Sequence, residues 1–250
     1  MKRMKKYFFA LVIVMVLTSL QVLAGNKEKV TEQRKVSDFE QIVLKGSPTI
    51  KYTQGDKFNV EVKAPKNIIK DVRTHKEGKR LIVSIKSPKW SFGFGNKDDE
   101  VIVYVTSPDL IGVELLGSGD FECRSHLDTD NLDVMLKGSG DIVFSDIICD
   151  RIKTSVIGSG DLTIEKAVAQ TADVELIGSG DVKIKQQKVK QTKVELKGSG
   201  DIKMALANCG TIDCRLLGSG DITLQGDVMK LNSYTRGSGD IDTQGLKIRK

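Results

Sequence analysis

The sequence predicts an all-β protein: a right-handed parallel β-helix, or solenoid, with coils of about 20 residues, preceded by an irregular β region. Three observations carry this. The tetrapeptide GSGD occurs seven times, placing aspartates at Asp120, Asp141, Asp161, Asp181, Asp201, Asp221 and Asp240. Successive copies lie 21, 20, 20, 20, 20 and 19 residues apart. Apolar residues recur at fixed phases from each aspartate and alternate with polar ones, as strands with one buried face require.

The chain opens MKRMKKYFFALVIVMVLTSLQVLAGNK. Lys2, Arg3, Lys5 and Lys6 precede an apolar run from Tyr7 to Leu20, too short to span a bilayer comfortably. Val22 and Ala24 are small residues placed for cleavage before Gly25. Residues 1–24 therefore read as a secretory signal peptide, outside the fold. No cysteine follows the apolar run, so a lipid anchor is not supported. Removing four basic residues and no acidic ones from 39 and 33 leaves 35 against 33, a net charge of +2 in place of +6. That balance gives no basis for nucleic-acid binding. Residues 25–35 read as a flexible lead-in, residues 36–110 as the irregular β region and residues 111–250 as the solenoid.

In the irregular region, IVLKGSPTIKY (Ile42–Tyr52) looks like a worn copy of the repeat, with Gly46, Ser47, Pro48 and Thr49 in the place of GSGD. KFNVEVKAP, RLIVSIKSP and EVIVYVTSP alternate cleanly and stop at Pro65, Pro88 and Pro108, since proline cannot continue a ladder. NIIKDVRTHKEGKR holds one or two turns, with Gly78 as a corner. The region starts or caps the solenoid, and its boundary falls near Ser107–Gly112.

Within the repeat, four columns point inward. Five residues before the aspartate stand Leu115, Leu136, Val156, Leu176, Leu196, Leu216 and Thr235. The other three, at seven before, one after and three after, are headed by Val113, Phe121 and Cys123. Each unit thus reads as a strand, a GSG corner, a second strand and a looser third stretch holding Ile148, Val168, Val189 and Val228. An antiparallel meander also satisfies this register, pairing Leu176 with Val182 and Glu175 with Lys183 across a three-residue hairpin loop. The β-helix is favoured because a hairpin needs only one left-handed glycine, whereas coil-on-coil stacking sets every corner glycine against the next. Stacked residues would lie ~4.8 Å apart, so six steps make a rod roughly 29 Å long. The last unit turns polar at Ser233, Thr235 and Thr243, as a terminal repeat without a neighbour should.

Four cysteines in a secreted chain invite a disulfide reading, and the phases argue against it. Cys123 and Cys214 fall in inward columns. Cys149 and Cys209 share a phase three coils apart, about 14 Å and beyond disulfide reach. Cys209 and Cys214 could meet across a corner. The expectation is buried thiols behaving as small hydrophobes.

The layout resembles the head GIN domain family of auto-transporter adhesins, secreted or surface-associated bacterial proteins. The resemblance rests on the N-terminal signal, on FEQIVLKGSPTIKYTQGD (Phe39–Asp56), on VTSPDLIGVELLGSGD (Val105–Asp120) and on the GSGD array. It implies a β-helical fold at the cell surface or in the periplasm, and it brings no catalytic residues.

For chemistry, the aspartate ladder from Asp120 to Asp240 reads as structural turns, each carboxylate accepting backbone N–H groups at its own corner. A row of Ca²⁺ sites is the alternative, but no second acid recurs at a fixed offset to complete the six to eight oxygens that Ca²⁺ takes. No other metal or cofactor is implied. His75 and His126 are far apart in sequence, with His126 in the polar turn SHLDTD. No base recurs beside Ser118, Ser139 or Ser159, so no catalytic residues are assigned. KWSFGFGNKDDE (Lys89–Glu100) carries the single Trp90 with Phe92 and Phe94, a candidate contact for sugar rings or a protein partner, or else a cover for the solenoid's open end. Lys183, Lys185, Lys188, Lys190, Lys193 and Lys197 crowd one coil; they read as a solvated face that also discourages edge aggregation, with an acidic glycan or a membrane surface as the alternative they could meet. The function expected is non-enzymatic: a secreted solenoid presenting a rigid surface for adhesion or ligand binding, to a glycan or a surface protein. The alternatives are a polysaccharide-active β-helix enzyme and a structural module that self-associates through exposed coil edges.

Overall fold

The computed structural model describes residues 28–86 and 100–249; the expected signal peptide, residues 1–24, lies outside them. The described elements are all strands. The N-terminal region holds β1 (Lys29–Gln33), β2 (Gln41–Gly46), β3 (Thr49–Gln54), β4 (Asn59–Pro65), β5 (Val72–Glu77), β6 (Arg80–Ile85) and β7 (Ile102–Ser107). From β8 (Gly112–Gly117) and β9 (Asp120–Asp128) the chain winds regularly. It passes through β10 (Asn131–Gly138), β11 (Ile142–Ile148), β12 (Arg151–Gly158), β13 (Leu162–Val168), β14 (Thr171–Gly178), β15 (Asp181–Gln187) and β16 (Gln191–Gly198). The long β17 (Asp201–Gly218) and β18 (Ile222–Gly237), then β19 (Ile241–Asp242) and β20 (Leu246–Ile248), finish it.

Strands preceding GSGD stack in parallel on one face, and strands following it stack in parallel on another. Leu136, Val156, Leu176, Leu196 and Leu216 stand in register from coil to coil, as do Ile142, Leu162, Val182, Ile202 and Ile222 on the second face. Leu176 therefore lies against Val156 and Leu196, not across a hairpin from Val182, and the topology is a β-solenoid of about seven turns.

The worn copy is a true coil. Gly46 pairs with Gly117 and Thr49 with Asp120, so β2 and β3 stack directly on β8 and β9. The next layer out is not the next in sequence. Strand β6 pairs in parallel with the far edge of β2, and β7 with the far edge of β3. The chain then returns past β2 and β3 to begin β8 on their other side. Antiparallel strands finish this end: β5 on β6 through the Gly78 hairpin, β4 on β7, and β1 on β4. Residues 29–33 are thus a paired strand, where the sequence suggested a flexible lead-in. The edge of β4 was free to take them.

One apolar core runs through both regions, from Phe39 and Ile42 to Leu224 and Val228. The four inward columns are buried in every coil up to the last. Tyr52, Phe121 and Phe144 stack with ring centroids 6.2 and 5.3 Å apart, and further along the same columns are aliphatic. In the third stretch the buried position is occupied by Cys149, Ala169, Val189, Cys209 and Val228, while Ile148 is exposed. At the C-terminal end Ser233 and Thr235 are exposed. There Arg249 clasps the last coil, with Nε 2.8 Å from Asp227 and a terminal nitrogen donating to the Cys209 carbonyl at 2.9 Å.

Candidate binding surface

The GSGD corners are built for close stacking. The first glycine of each motif has φ between +128° and +153°, a region that side chains avoid. The second glycine is required by space. A Cβ on Gly140, Gly160, Gly180, Gly200, Gly220 or Gly239 would lie 1.8–2.1 Å from the carbonyl oxygen of the glycine one coil back. Serine amides tie the corners together, as in Ser159 N–H to the Gly138 carbonyl at 2.9 Å.

The aspartates form a continuous axial ladder. The amide of Asp141 donates to Oδ1 of Asp120 at 3.0 Å, Asp161 to Asp141 at 3.2 Å and Asp181 to Asp161 at 2.8 Å. The series continues with Asp201 to Asp181 at 3.4 Å, Asp221 to Asp201 at 3.2 Å and Asp240 to Asp221 at 2.9 Å. Each carboxylate therefore caps the corner of the following coil rather than its own, because parallel stacking carries the next amide directly over it. The second oxygens of Asp181 and Asp201 face Lys183 and Lys203 at 3.7 and 3.6 Å. Burial raises the Asp120 carboxyl above its ordinary range, opposed by the bond from the Asp141 amide. Among the described residues, no three His, Cys, Asp or Glu side chains converge as a metal site would need.

Trp90, Phe92 and Phe94 lie outside the described residues.

The lysine cluster does not form one patch. Lys183 and Lys185 project from β15, on the face after the corner. Lys188 occupies a left-handed turn position, φ +59°. Lys193 and Lys197 project from β16, on the face before the corner, where Lys197 bonds Glu175 at 3.2 Å and Glu195 at 3.1 Å. On the face after the corner, Lys183 stacks beside Lys203, and Lys185 beside the small Ala205. The missing bulk at Ala205 leaves a groove of about 490 Å³ crossing four coils, bordered by the three lysines, Glu165, Thr223 and Gln225.

The histidines stay apart. His75 sits in β5 beside Glu77 at 3.0 Å. His126 is in strand β9, not in a turn, and meets Asp146 at 3.1 Å. Burial of Asp146 is outweighed by bonds from Lys166 and His126, which hold its carboxyl below the usual range. All four cysteines are buried and unpaired. Sequence reasoning singled out the lysines but missed how they divide around the coil, and it missed the Ala205 gap. Phase counting of outward columns, done as for the inward ones, carries both signals.

Comparison with known proteins places this geometry. The family model described as "putative auto-transporter adhesin, head GIN domain" matches residues 38–207 and 187–250. A search of curated proteins found no match. Among solved structures, the chain is similar to a putative adhesin from Bacteroides fragilis NCTC 9343, with 26% identity, a TM-score of 0.77, and coverage of 86% of this chain and 97% of that one. It is also similar to a putative lipid binding protein from Parabacteroides distasonis ATCC 8503, with 25% identity, a TM-score of 0.68, and coverage of 87% and 97%. A putative adhesin from the same organism, 20% identical with a TM-score of 0.68 and coverage of 87% and 98%, speaks to the fold alone. With its family model covering nearly the whole repeat and the N-terminal coils, the chain belongs to the head GIN domain family of putative auto-transporter adhesins.

Proposed function

We propose that this chain is a secreted, non-enzymatic adhesin head that binds an anionic glycan at the bacterial surface, seating it in the groove beside Lys183, Lys185 and Lys203. The observation that carries the reading is that groove, a recess on a rigid sheet with an apolar floor and lysines at its border, crossing coils at a fixed spacing. An extended polymer laid along the solenoid axis meets ammonium groups on two successive coils, Lys183 and Lys203 held only loosely by Asp181 and Asp201 at 3.7 and 3.6 Å and so able to turn to a carboxylate or sulfate. Rigidity helps because little ordering is needed at the moment of binding. The family description supports surface exposure.

The test is binding of the purified chain to an array of glycans and matrix proteins, compared with a variant carrying Lys183→Ala, Lys185→Ala and Lys203→Ala. Expected is binding to acidic glycans that salt weakens and that the triple variant loses at unchanged Tm. Binding that the triple variant retains moves the seat elsewhere. No binding to any member refutes the reading, and release of reducing ends or unsaturated sugars from a bound glycan would make the protein a polysaccharide-active enzyme.

A further inference from the structure

On the face before the corner, one outward column alternates in charge. In register along the axis stand Asp133, Lys153, Asp173, Lys193, Asp213 and Asn232. Within the chain each charge has opposite charges in register on the neighbouring coils, but few close bonds form. Asp133 reaches Arg151 only at 4.0 Å, and Asp213 accepts from Asn232 at 2.6 Å. Lys153, Lys193 and the Asp173 carboxylate make no ion pair or side-chain hydrogen bond among the described residues. A shallow recess of about 260 Å³ runs beside them, bordered by Glu175 and Glu195.

Such a column is its own complement when reversed. Rotation about an axis parallel to the strands, passing between the coils of Asp173 and Lys193, turns a second copy end for end. It brings Asp173 against Lys193, Lys153 against Asp213 and Asp133 against Asn232, each contact made twice. Neighbouring columns follow the same operation: half-buried Ile157 meets half-buried Leu217, and Met135 meets the exposed Tyr234. Glu175 faces Glu195, but Lys197, bonded to both in each copy, supplies the counter-charge. Two contacts in the adjoining column do not match: Ile177 against Lys197 beside the axis, where the lysine stem covers the isoleucine while its ammonium stays with the glutamates, and Lys137 against Arg236 at the rim. On the face after the corner the same operation sets Lys183 against Lys203.

We infer that the face before the corner is a self-complementary interface through which two copies pair face to face with antiparallel axes. The available area agrees. Six coils of eight-residue strands present roughly 29 Å by 26 Å, on the order of 750 Å² per copy, close to the ~800 Å² per partner of a standard interface. A two-fold contact of this kind closes on itself and leaves the lysine groove of each copy facing outward. The inference is independent of the glycan reading.

Sedimentation equilibrium across concentrations reaching the millimolar range tests it. The unmodified chain should be a dimer that salt weakens. Asp173→Lys alone, or Lys193→Asp alone, puts two like-charge contacts in the interface and should raise Kd on the order of tenfold or more, with the far-UV spectrum unchanged. The double variant restores opposite charges across the two-fold and should dimerise again. Should a variant not fold, carbodiimide treatment of a mixture of isotope-labelled and unlabelled wild-type chain supplies the reading, through a Lys193–Asp173 cross-link joining one labelled and one unlabelled chain. A chain that stays monomeric, a dimer indifferent to the single reversals, a double variant that does not recover, or intermolecular cross-links confined to other faces would each overturn the inference.

Discussion

Replacing Gly160 with alanine isolates the role of stacking at the corners. Gly160 is not in the left-handed region, so alanine adds no torsional penalty there, and the effect comes from space alone. Its Cβ would stand 2.1 Å from the Gly140 carbonyl oxygen, whereas real Cβ atoms essentially never come closer than 3.0 Å. The two coils must part by about 0.9 Å, the difference between those distances. The amides of Ser159 and Gly160 bond the Gly138 carbonyl at 2.9 and 3.1 Å, and such a shift carries both beyond the ~3.2 Å reach of a good N–H···O bond. Two weakened hydrogen bonds at ~1 kcal/mol each and overpacking strain of ~1–3 kcal/mol give a loss of about 3–5 kcal/mol. Gly78 is the control. It has φ +62°, and its added Cβ would meet nothing within 4 Å, so Gly78→Ala should cost only the left-handed torsion, ~1–2 kcal/mol. Urea unfolding followed by circular dichroism measures both. Because solenoid coils are coupled mainly to their neighbours, amide exchange in Gly160→Ala should accelerate first at the corners on either side of the insertion. If Gly160→Ala is no more damaging than Gly78→Ala, the stacking argument fails.

Two further outcomes follow from the buried groups. Folding raises the Asp120 carboxyl through burial, so its contribution is fully present below the unfolded pKa and is lost as pH rises through the folded value. Ionised Asp120 therefore opposes folding at neutral pH. Asp120→Asn keeps an oxygen to accept the Asp141 amide, and it should raise Tm at pH 7 while leaving it unchanged near pH 3; a lower Tm at pH 7 would contradict this. Burial also pushes the Cys149 and Cys214 thiols up to about 12 and raises those of Cys123 and Cys209. Since the thiolate is the reactive form, a thiol reagent at pH 8 should leave the native chain unmodified and titrate four cysteines after denaturation, and rapid labelling of the native chain would show that these positions open.

Much of the fold was legible because every coil repeats the same local problem. A residue in the Leu136 column has Val156 as its neighbour, which has Leu176, so apolar character at one phase is imposed along the whole axis. The worn copy at Gly46 was readable for the same reason: its glycine must stack on Gly117. Phase counting failed where the ladder slips. The register shifts between Phe144 and Asp146, between Ile164 and Ala167, and between Leu206 and Cys209. The slips beside β9 and before Cys209 absorb the variation in coil length, and the buried position of the third stretch stays eight after the aspartate at Cys149, Ala169, Val189 and Cys209, moving to seven only at Val228. The outermost layer was hidden for another reason. Strands β6 and β7 alternate like any others, and nothing local in RLIVSI or IVYVTS says that they stack ahead of β2 and β3 rather than after them. That choice rests on pairing between residues such as Val43 and Ile82, 39 positions apart.

The candidate surfaces were less legible because outward side chains answer to solvent or to a partner and not to the coil above. An inward residue of the wrong size leaves a cavity or a clash, and its column is kept apolar whatever the protein does. An outward lysine can become aspartate with little effect on folding, since an exposed ion pair contributes ~0–1 kcal/mol. Stacking favours opposite signs on neighbouring coils by only a few tenths to ~1 kcal/mol per pair, so a pattern kept through many coils also suits a partner. The column from Asp133 to Asn232 alternates in sign through five successive coils, although its central lysines and Asp173 make no side-chain hydrogen bond or close ion pair among the described residues. The column holding Lys183 and Lys203 sets two like charges side by side instead. Alternation matches a reversed copy of itself, and repetition of a single charge matches a polymer of the opposite charge. The two faces are thus fitted to different kinds of partner, and a chain that pairs through the first leaves the second exposed on both copies.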